Sequence, residues 1–288
     1  MIATTAYIRE RLAEVYTPEE IRTLIPWIIE HVCGLSLAQQ MGAKDSQIGE
    51  GHQASIRRIV SRLERHEPIQ YVLGRCDFHG LTFHVDRSVL IPRPETGELI
   101  ERIVANHRGE EALRVLDIGT GSGCIAITLA RKLCRPHVLA LDISAEAIAT
   151  ACGNARRNNA DVRFLRADLF DPDLSLPMPF DLIVSNPPYV RTSERADMAP
   201  NVLRYEPHTA LFVPDDDPLR FYRRTAVCAR RWLVPGGRIY FEINAALAAE
   251  TAALLRAEGF VDVRTWRDMQ GKGRFIEVIN NEEPNTKR

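Results

Sequence analysis

The chain has 288 residues, a length that suits about two domains. Hydrophobic residues make up 45% and charged residues 26%, with 17 Gly and 17 Pro, an ordinary globular composition that excludes collagen-like and low-complexity chains. Lys and Arg total 37 against 38 Asp and Glu; residues 1–90 hold 10 basic and 11 acidic side chains and the remainder 27 of each, so neither part has the cationic surplus of a strong, unspecific nucleic-acid binder.

The six cysteines (Cys33, Cys76, Cys124, Cys134, Cys152 and Cys228) include no C-x-x-C pair, so a zinc knuckle and a dithiol redox motif are excluded and small buried residues in a reducing compartment are expected. The first ten residues show no basic segment followed by an apolar stretch, and no run approaches the ~20 apolar residues of a membrane span. The expectation is a soluble, cytoplasmic protein with no membrane partner.

Residues 1–65 carry helical spacing and almost no strand signal. Thr17-Pro18-Glu19-Glu20 reads as a helix start, with a Thr cap, Pro at the first position and Glu at the third. Ile21, Leu24, Ile25, Ile28 and Ile29 then form one apolar face, and Pro26 within it is expected to kink or end the helix. Ile56, Ile59, Val60 and Leu63 form a second face beyond a polar loop, Gly42 to Gly51. Two such stripes predict a small N-terminal helical bundle over residues 1–70. From Tyr71 the period changes: Phe78, Gly80-Leu81, Phe83 and Val85 suggest a hairpin. It leads into Leu90-Ile91-Pro92-Arg93-Pro94-Glu95-Thr96, too rich in proline for regular structure, so residues 71–96 read as hairpin and linker.

Seven candidate strands come next: Arg114–Ile118, Val138–Asp142, Val162–Leu165, Leu182–Ser185, Arg238–Ile243, Val261–Thr265 and Phe275–Ile279. Helices are expected between them, for example Cys124–Leu133 and Ala145–Asn158. This alternation predicts an α/β domain over residues 97–281, a mainly parallel sheet covered on both faces. Residues 282–288 are expected to fray.

Two motifs carry chemistry. The first is the strand-to-helix turn Asp117-Ile118-Gly119-Thr120-Gly121-Ser122-Gly123. Glycines there let a ligand approach the backbone. The spacing is G-x-G-x-G, neither the dinucleotide fingerprint nor a phosphate loop, which weighs against NAD and ATP. Nineteen residues on, Asp142 ends the next strand, where a carboxylate can accept both hydroxyls of a ribose. Asp168-Leu169 closes the third, where an acid can accept from an adenine amino group and an apolar neighbour can pack on the ring. Either Asp alone would be an ordinary helix cap; in this order the strand ends form a nucleoside site.

The second motif is Asn186-Pro187-Pro188-Tyr189, directly after a strand. Each proline holds its predecessor extended, and neither has an N–H, so the turn presents carbonyl oxygens without competing donors. Asn186 adds a side-chain carbonyl, and Tyr189 an aromatic ring expected to stack beside it. Such a turn suits a planar NH₂ group conjugated to a π system. With a nucleoside site alongside, the chemistry is methyl transfer from S-adenosylmethionine to an amide or exocyclic amine nitrogen. No histidine base is required, because an N-methylated amide cation is acidic enough to lose its proton to water or to Asn186.

These residues resemble the class I S-adenosylmethionine-dependent methyltransferases, and within them the HemK/PrmC family, the N5-glutamine methyltransferases of peptide chain release factors. The resemblance covers nearly the whole chain and rests further on Glu67-Pro68-Ile69-Gln70-Tyr71-Val72-Leu73-Gly74, Ile91-Pro92-Arg93-Pro94-Glu95-Thr96, Arg204-Tyr205-Glu206-Pro207 and Pro235-Gly236-Gly237. It implies a Rossmann-like seven-stranded domain joined by a β-hairpin linker to a helical N-terminal domain that recognises the substrate. It also implies a monomer acting on the glutamine of the Gly-Gly-Gln loop of class 1 release factors, with S-adenosylhomocysteine as product and no stable nucleic-acid partner. Asn186, Pro187 and Tyr189 would be catalytic; Arg93, Glu95 and Pro188 would join them around the substrate. Gly119, Thr120, Gly121, Ser122, Gly123, Asp142, Asp168, Leu169 and Asn186 would hold the cofactor. The chain departs from the family in reading Glu242-Ile243-Asn244 where members often read Glu-Ile-Gly. Rival readings are methylation of a ribosomal-protein glutamine or of a nucleic-acid amine, and a nucleoside-binding module without activity. Arg220, Arg223, Arg224, Arg230 and Arg231 share one helical face, either a solvated surface or a docking stripe.

Overall fold

The computed structural model describes residues 1–43, 46–177 and 179–280. Part of the predicted 42–51 loop (Lys44 and Asp45) and the expected frayed segment 282–288 lie outside the described residues. The chain divides into two compact units: Met1–Arg75 with Ala199–Tyr205, and Cys76–Met198 with the described residues from Glu206 onward.

The first unit is helical, with α1 (Ile2–Leu12), α2 (Pro18–Cys33), α3 (Leu37–Gly42), α4 (Glu50–Leu63) and α5 (Ile69–Leu73). At the start of α2 the Thr17 hydroxyl accepts from the Glu20 N–H at 3.3 Å, and the Glu20 carboxylate accepts from the Thr17 N–H at 2.7 Å. Pro26 does not end α2, which runs on to Cys33. One missing N–H costs less than exposing Ile21, Leu24, Ile25, Ile28 and Ile29, all of them buried, at about 1.5–3 kcal/mol per side chain. Gln40 of α3 donates to the Pro26 carbonyl at 3.0 Å. Arg62 grips Glu67 through two N–H donors at 2.8 and 2.9 Å and donates to the Val72 carbonyl at 3.0 Å, fastening α5 to α4.

In the second unit, β1 (Cys76–Phe78) and β2 (Leu81–Phe83) form the predicted hairpin. His79 and Gly80 both take positive φ (51° and 77°), the backbone of a tight two-residue turn. The linker is less irregular than expected: α6 (Pro94–Asn106) begins inside it, because Pro94 at the first helical position sacrifices an N–H that would have no partner. The chain continues through β3 (Arg114–Ile118), α7 (Cys124–Lys132), β4 (His137–Asp142), α8 (Ala145–Arg157), β5 (Val162–Arg166), β6 (Phe180–Ser185), β7 (Val190–Arg191), α9 (Pro200–Tyr205, in the first unit), β8 (Phe212–Val213), α10 (Arg220–Trp232), β9 (Leu233–Glu242), α11 (Ala248–Ala257), β10 (Val261–Arg267) and β11 (Gly273–Ile279). Seven strands form one sheet in the order β10-β11-β9-β6-β3-β4-β5. All neighbours are parallel except β11, antiparallel to both β9 and β10. The strand predicted from Arg238 starts at Leu233 instead, with a register break against β6 that absorbs Pro235-Gly236-Gly237.

The central strands are rich in apolar residues, as burial on both faces requires: Val115, Leu116, Ile183, Val184, Ile239 and Phe241 are buried. Register aligns the strand ends. Ile118 pairs with Leu141 and Ser185, and Asp142 with Arg166, so the carboxyl ends of β3, β4, β5 and β6 share one sheet edge. Among the described residues no helix is long and apolar enough to cross a membrane.

Candidate active site

At that edge lies a cavity of about 480 Å³, within the usual size of small-molecule sites. Its wall includes Ser88 to Arg93, Gly119 to Ser122, Asp142, Asp168, Leu169 and Asn186 to Pro188. Gly119 and Gly121 take φ of 74° and 53°, and a Cβ on either would meet no protein atom within 4 Å. The space they leave open belongs to the cavity, as an adenosine-bearing cofactor running along the loop requires. Asp142 braces the loop: its Oδ2 accepts from the Gly121 N–H and its Oδ1 from the Ser144 N–H, each at 2.9 Å. Each oxygen keeps a lone pair for a ribose hydroxyl. Asp117 clamps the same loop from below, with Oδ2 accepting from the Thr120 hydroxyl at 2.7 Å and from the Ala126 N–H at 3.2 Å. Burial pushes its carboxyl up to about 7.

Gly123 does different work from the role expected of it. It is not among the described cavity-lining residues, and a Cβ there would lie 2.8 Å from Ile127 and 3.2 Å from the Ala151 side chain. Its missing side chain lets α7 pack close to α8. Asn154 of α8 completes the support, donating to the carbonyls of Ser122 and His84 at 2.9 Å each while its own carbonyl accepts from the His84 N–H at 2.6 Å.

On the neighbouring strand Ser185 donates to the Ile118 carbonyl at 2.7 Å, fixing the base of the proline turn. Asn186 donates through Nδ2 to Thr96 Oγ1 at 3.2 Å, which leaves its Oδ1 to act as acceptor. Thr96 in turn donates to Glu242 Oε2 at 2.7 Å, and Tyr189 donates to Glu242 Oε1 at 3.0 Å. Burial raises the Glu242 carboxyl; its hydrogen bonds from Thr96 and Tyr189 and the charge of Arg274 oppose that rise. Tyr189 packs against the sheet core, donates its hydroxyl to Glu242, and is not among the residues that line the cavity. Glu95 is likewise absent from the described lining; it lies in the first turn of α6. Arg93 does line the cavity, and it pairs at 2.5 Å with Glu206, a buried carboxylate that also accepts from the Ile91 N–H at 3.2 Å.

Four arginines of the α10 face make contacts within the second unit. Arg220 lies 4.6 Å from the Phe170 ring and lines the cavity with Phe170 and Phe221. Arg224 donates to the carbonyls of Leu169 and Asp171 at 2.7 Å each, holding the loop that carries Asp168. Arg223 pairs with Asp217 at 2.9 Å, and Arg230 donates to the Glu258 carbonyl at 2.5 Å. Thr96, Glu242, Asn154 and Arg220 are site residues that sequence reasoning missed. Thr96 and Glu242 stood inside quoted motifs, yet 146 residues separate them.

Two family models match the chain, a PrmC N-terminal domain over residues 4–74 and a methyltransferase small domain over residues 96–207. A release factor glutamine methyltransferase of Bacteroides thetaiotaomicron is 45% identical over 272 residues, 94% of this chain and 97% of that protein. The chain belongs to the HemK/PrmC family. A second HemK/PrmC relative, the release factor glutamine methyltransferase of Flavobacterium psychrophilum, is 40% identical over 93% of this chain and 95% of its own length. A solved methyltransferase from Pyrococcus furiosus matches with a TM-score of 0.51 at 18% identity, over 81% of this chain and 99% of that one, a likeness of fold. As a HemK/PrmC member the chain is a methyltransferase, and its glycine loop and proline turn line one cavity.

Proposed function

We propose that this HemK/PrmC protein transfers a methyl group from S-adenosylmethionine to the side-chain amide nitrogen of the glutamine in the Gly-Gly-Gln loop of class 1 peptide chain release factors. The observation that carries this reading is Asn186: it lines the cavity and its NH₂ is committed to Thr96, which leaves its side-chain oxygen as an acceptor beside two prolines that have no N–H. S-adenosylmethionine, when bound, supplies a methyl on a sulfonium leaving group. Gly119 and Gly121 admit the cofactor to the backbone, Asp142 accepts from its ribose, and Asp168 and Leu169 border its adenine. Asn186 Oδ1 and the Pro187 carbonyl accept the two amide hydrogens of the glutamine. That grip pulls the nitrogen from planarity and aims its lone pair at the methyl, and such positioning is worth several kcal/mol of barrier. The surplus proton leaves to water or to Asn186 Oδ1. Tyr189 supports the turn from behind. Arg93, tied to Glu206, borders the substrate end, with Pro188 and Glu95 near it.

The same reading makes residues 1–70 the substrate-recognition domain, residues 71–96 its connection and 97–281 the catalytic domain of a cytoplasmic monomer. The balanced charge supports a protein partner over stable binding to nucleic acid. The test is incubation of the purified protein with methyl-labelled cofactor and, separately, a release factor, the same factor with its loop glutamine changed to alanine, ribosomal proteins and duplex DNA. Label is expected in the intact release factor alone. Label in DNA, or undiminished label in the altered factor, refutes the substrate.

A further inference from the structure

We propose that Glu242 and Thr96 are positioning residues that set the polarity of Asn186, so that the proline turn presents an oxygen and not an NH₂ group to the substrate nitrogen. The inference rests on the proposed methyl transfer to glutamine and adds residues that it did not need. An asparagine amide is nearly symmetric in shape, and its carbonyl and NH₂ ends exchange by a half-turn about one bond. Only a neighbour that can act in one sense, donor or acceptor, tells the two ends apart.

Thr96 alone is no such neighbour, since a hydroxyl both donates and accepts. Glu242 makes it one. The hydrogen bonds from Thr96 and Tyr189 and the charge of Arg274 favour the ionised form of Glu242 against its burial; in that form it only accepts, so the single hydroxyl hydrogen of Thr96 goes to Glu242 Oε2 at 2.7 Å. What remains on Thr96 Oγ1 is lone pairs, and the group facing them at 3.2 Å is the Asn186 NH₂. The opposite rotamer would set Asn186 Oδ1 against those lone pairs, two acceptors without a hydrogen between them. Tyr189 donates to the other carboxylate oxygen at 3.0 Å, so Glu242 accepts on both sides. Glu242 is 1% exposed and Thr96 2%, which leaves little room for water to replace either link.

Asn244 closes the far end of the turn. Its Nδ2 donates to the Tyr189 carbonyl at 3.1 Å and to Glu194 at 3.2 Å, and its Oδ1 accepts from the Ala246 N–H at 3.0 Å. This chain holds the last residue of the acceptor turn with the Asn244 side chain. The end of β9 thus grips both ends of the turn, by Glu242 through Thr96 and by Asn244 directly.

The full-length protein tests this with Thr96→Val, Thr96→Ser and Glu242→Gln. Thr96→Val keeps the shape and removes the hydroxyl; Glu242→Gln allows an NH₂ to face Thr96 and so permits Asn186 to invert. Both are expected to lower kcat on a release factor by about 10- to 100-fold, with the KM and the affinity for S-adenosylhomocysteine each within about threefold of wild type. Thr96→Ser is expected to recover to within about threefold of the wild-type kcat. Wild-type kcat in Thr96→Val, or equal losses in Thr96→Ser and Thr96→Val, overturns the proposal. A second measurement reads the wild-type protein without substrate and uses a variant only to assign the signal. With asparagine labelled in ¹⁵N, the Asn186 side-chain NH₂, assigned by its loss in Asn186→Asp, is expected to exchange with solvent at least about tenfold more slowly than that of the exposed Asn159. An unprotected NH₂ in the wild type overturns the relay. A wild-type protein that leaves the release factor unmethylated but protects this NH₂ refutes the substrate reading instead.

Discussion

Replacing Asp142 by alanine tests the cofactor half of the site. The carboxylate has two tasks in the structure: it accepts from the Gly121 and Ser144 N–H groups at 2.9 Å each, and it keeps one lone pair per oxygen for the ribose. A hydrogen bond to a charged group contributes about 1.5–3 kcal/mol. Losing both ribose contacts therefore costs about 3 kcal/mol at the lower bound, roughly a hundredfold in affinity at 1.4 kcal/mol per tenfold. Calorimetric titration with S-adenosylhomocysteine reads the loss. Loosening of the glycine loop could produce a loss of similar size, so a second ligand, the 2′,3′-dideoxy analogue, separates the two causes. The wild type is expected to bind the analogue about a hundredfold more weakly than the parent, and Asp142→Ala to bind both alike. If Asp142→Ala still discriminates between them as the wild type does, the carboxylate does not hold the ribose and the assignment falls.

Asn186→Ala is expected to lower kcat by about 100-fold while S-adenosylhomocysteine affinity stays within about threefold; unchanged turnover removes Asn186 from its role. Asp117, with its carboxyl raised to about 7 from an ordinary 3.8, makes the folded chain bind more protons than the unfolded one between those values. Stability is then fully present below about pH 4 and declines toward pH 7, with a slope of up to about 1.4 kcal/mol per pH unit from this group. Denaturant midpoints across that range are expected to show the decline in the wild type and to lack this component in Asp117→Asn; identical slopes contradict it. Gly123→Ala places a Cβ 2.8 Å from Ile127 on a backbone with φ of 81°. It is expected to destabilise the fold by about 2–4 kcal/mol in thermal unfolding, and a loss below about 0.5 kcal/mol would show that α7 and α8 need no such close approach.

Much of this architecture was written locally in the sequence. Strands β3, β4 and β6 are short, mostly apolar runs with turn residues at their ends, and the glycine loop comes directly after the first of them. Burial on both faces makes such runs legible without knowledge of partners. The start of α6 was legible in principle, since Pro94 followed by Glu95 is a helix-start pattern, but the surrounding prolines concealed it. Other features could not be seen because their cause is tertiary. Pro26 stays inside α2 because the buried isoleucines around it outweigh one lost N–H. Tyr189 looked like a stacking ring, and its hydroxyl donates to Glu242, 53 residues away. Glu242 fell inside a predicted strand, with no role assigned to it, and only the fold brings Thr96 and Tyr189 to its two oxygens. The arginines of α10 shared a face as predicted, yet two of the acceptors they meet, the Leu169 and Glu258 carbonyls, lie more than 20 residues distant.

The most direct test of the proposed methyl transfer is a crystal structure with S-adenosylhomocysteine and a peptide containing Gly-Gly-Gln. The thioether sulfur is expected to face the proline turn, with the glutamine amide nitrogen between them and its two hydrogens on Asn186 Oδ1 and the Pro187 carbonyl. A sulfur directed away from the turn, or a glutamine bound there through its oxygen, would contradict the mechanism.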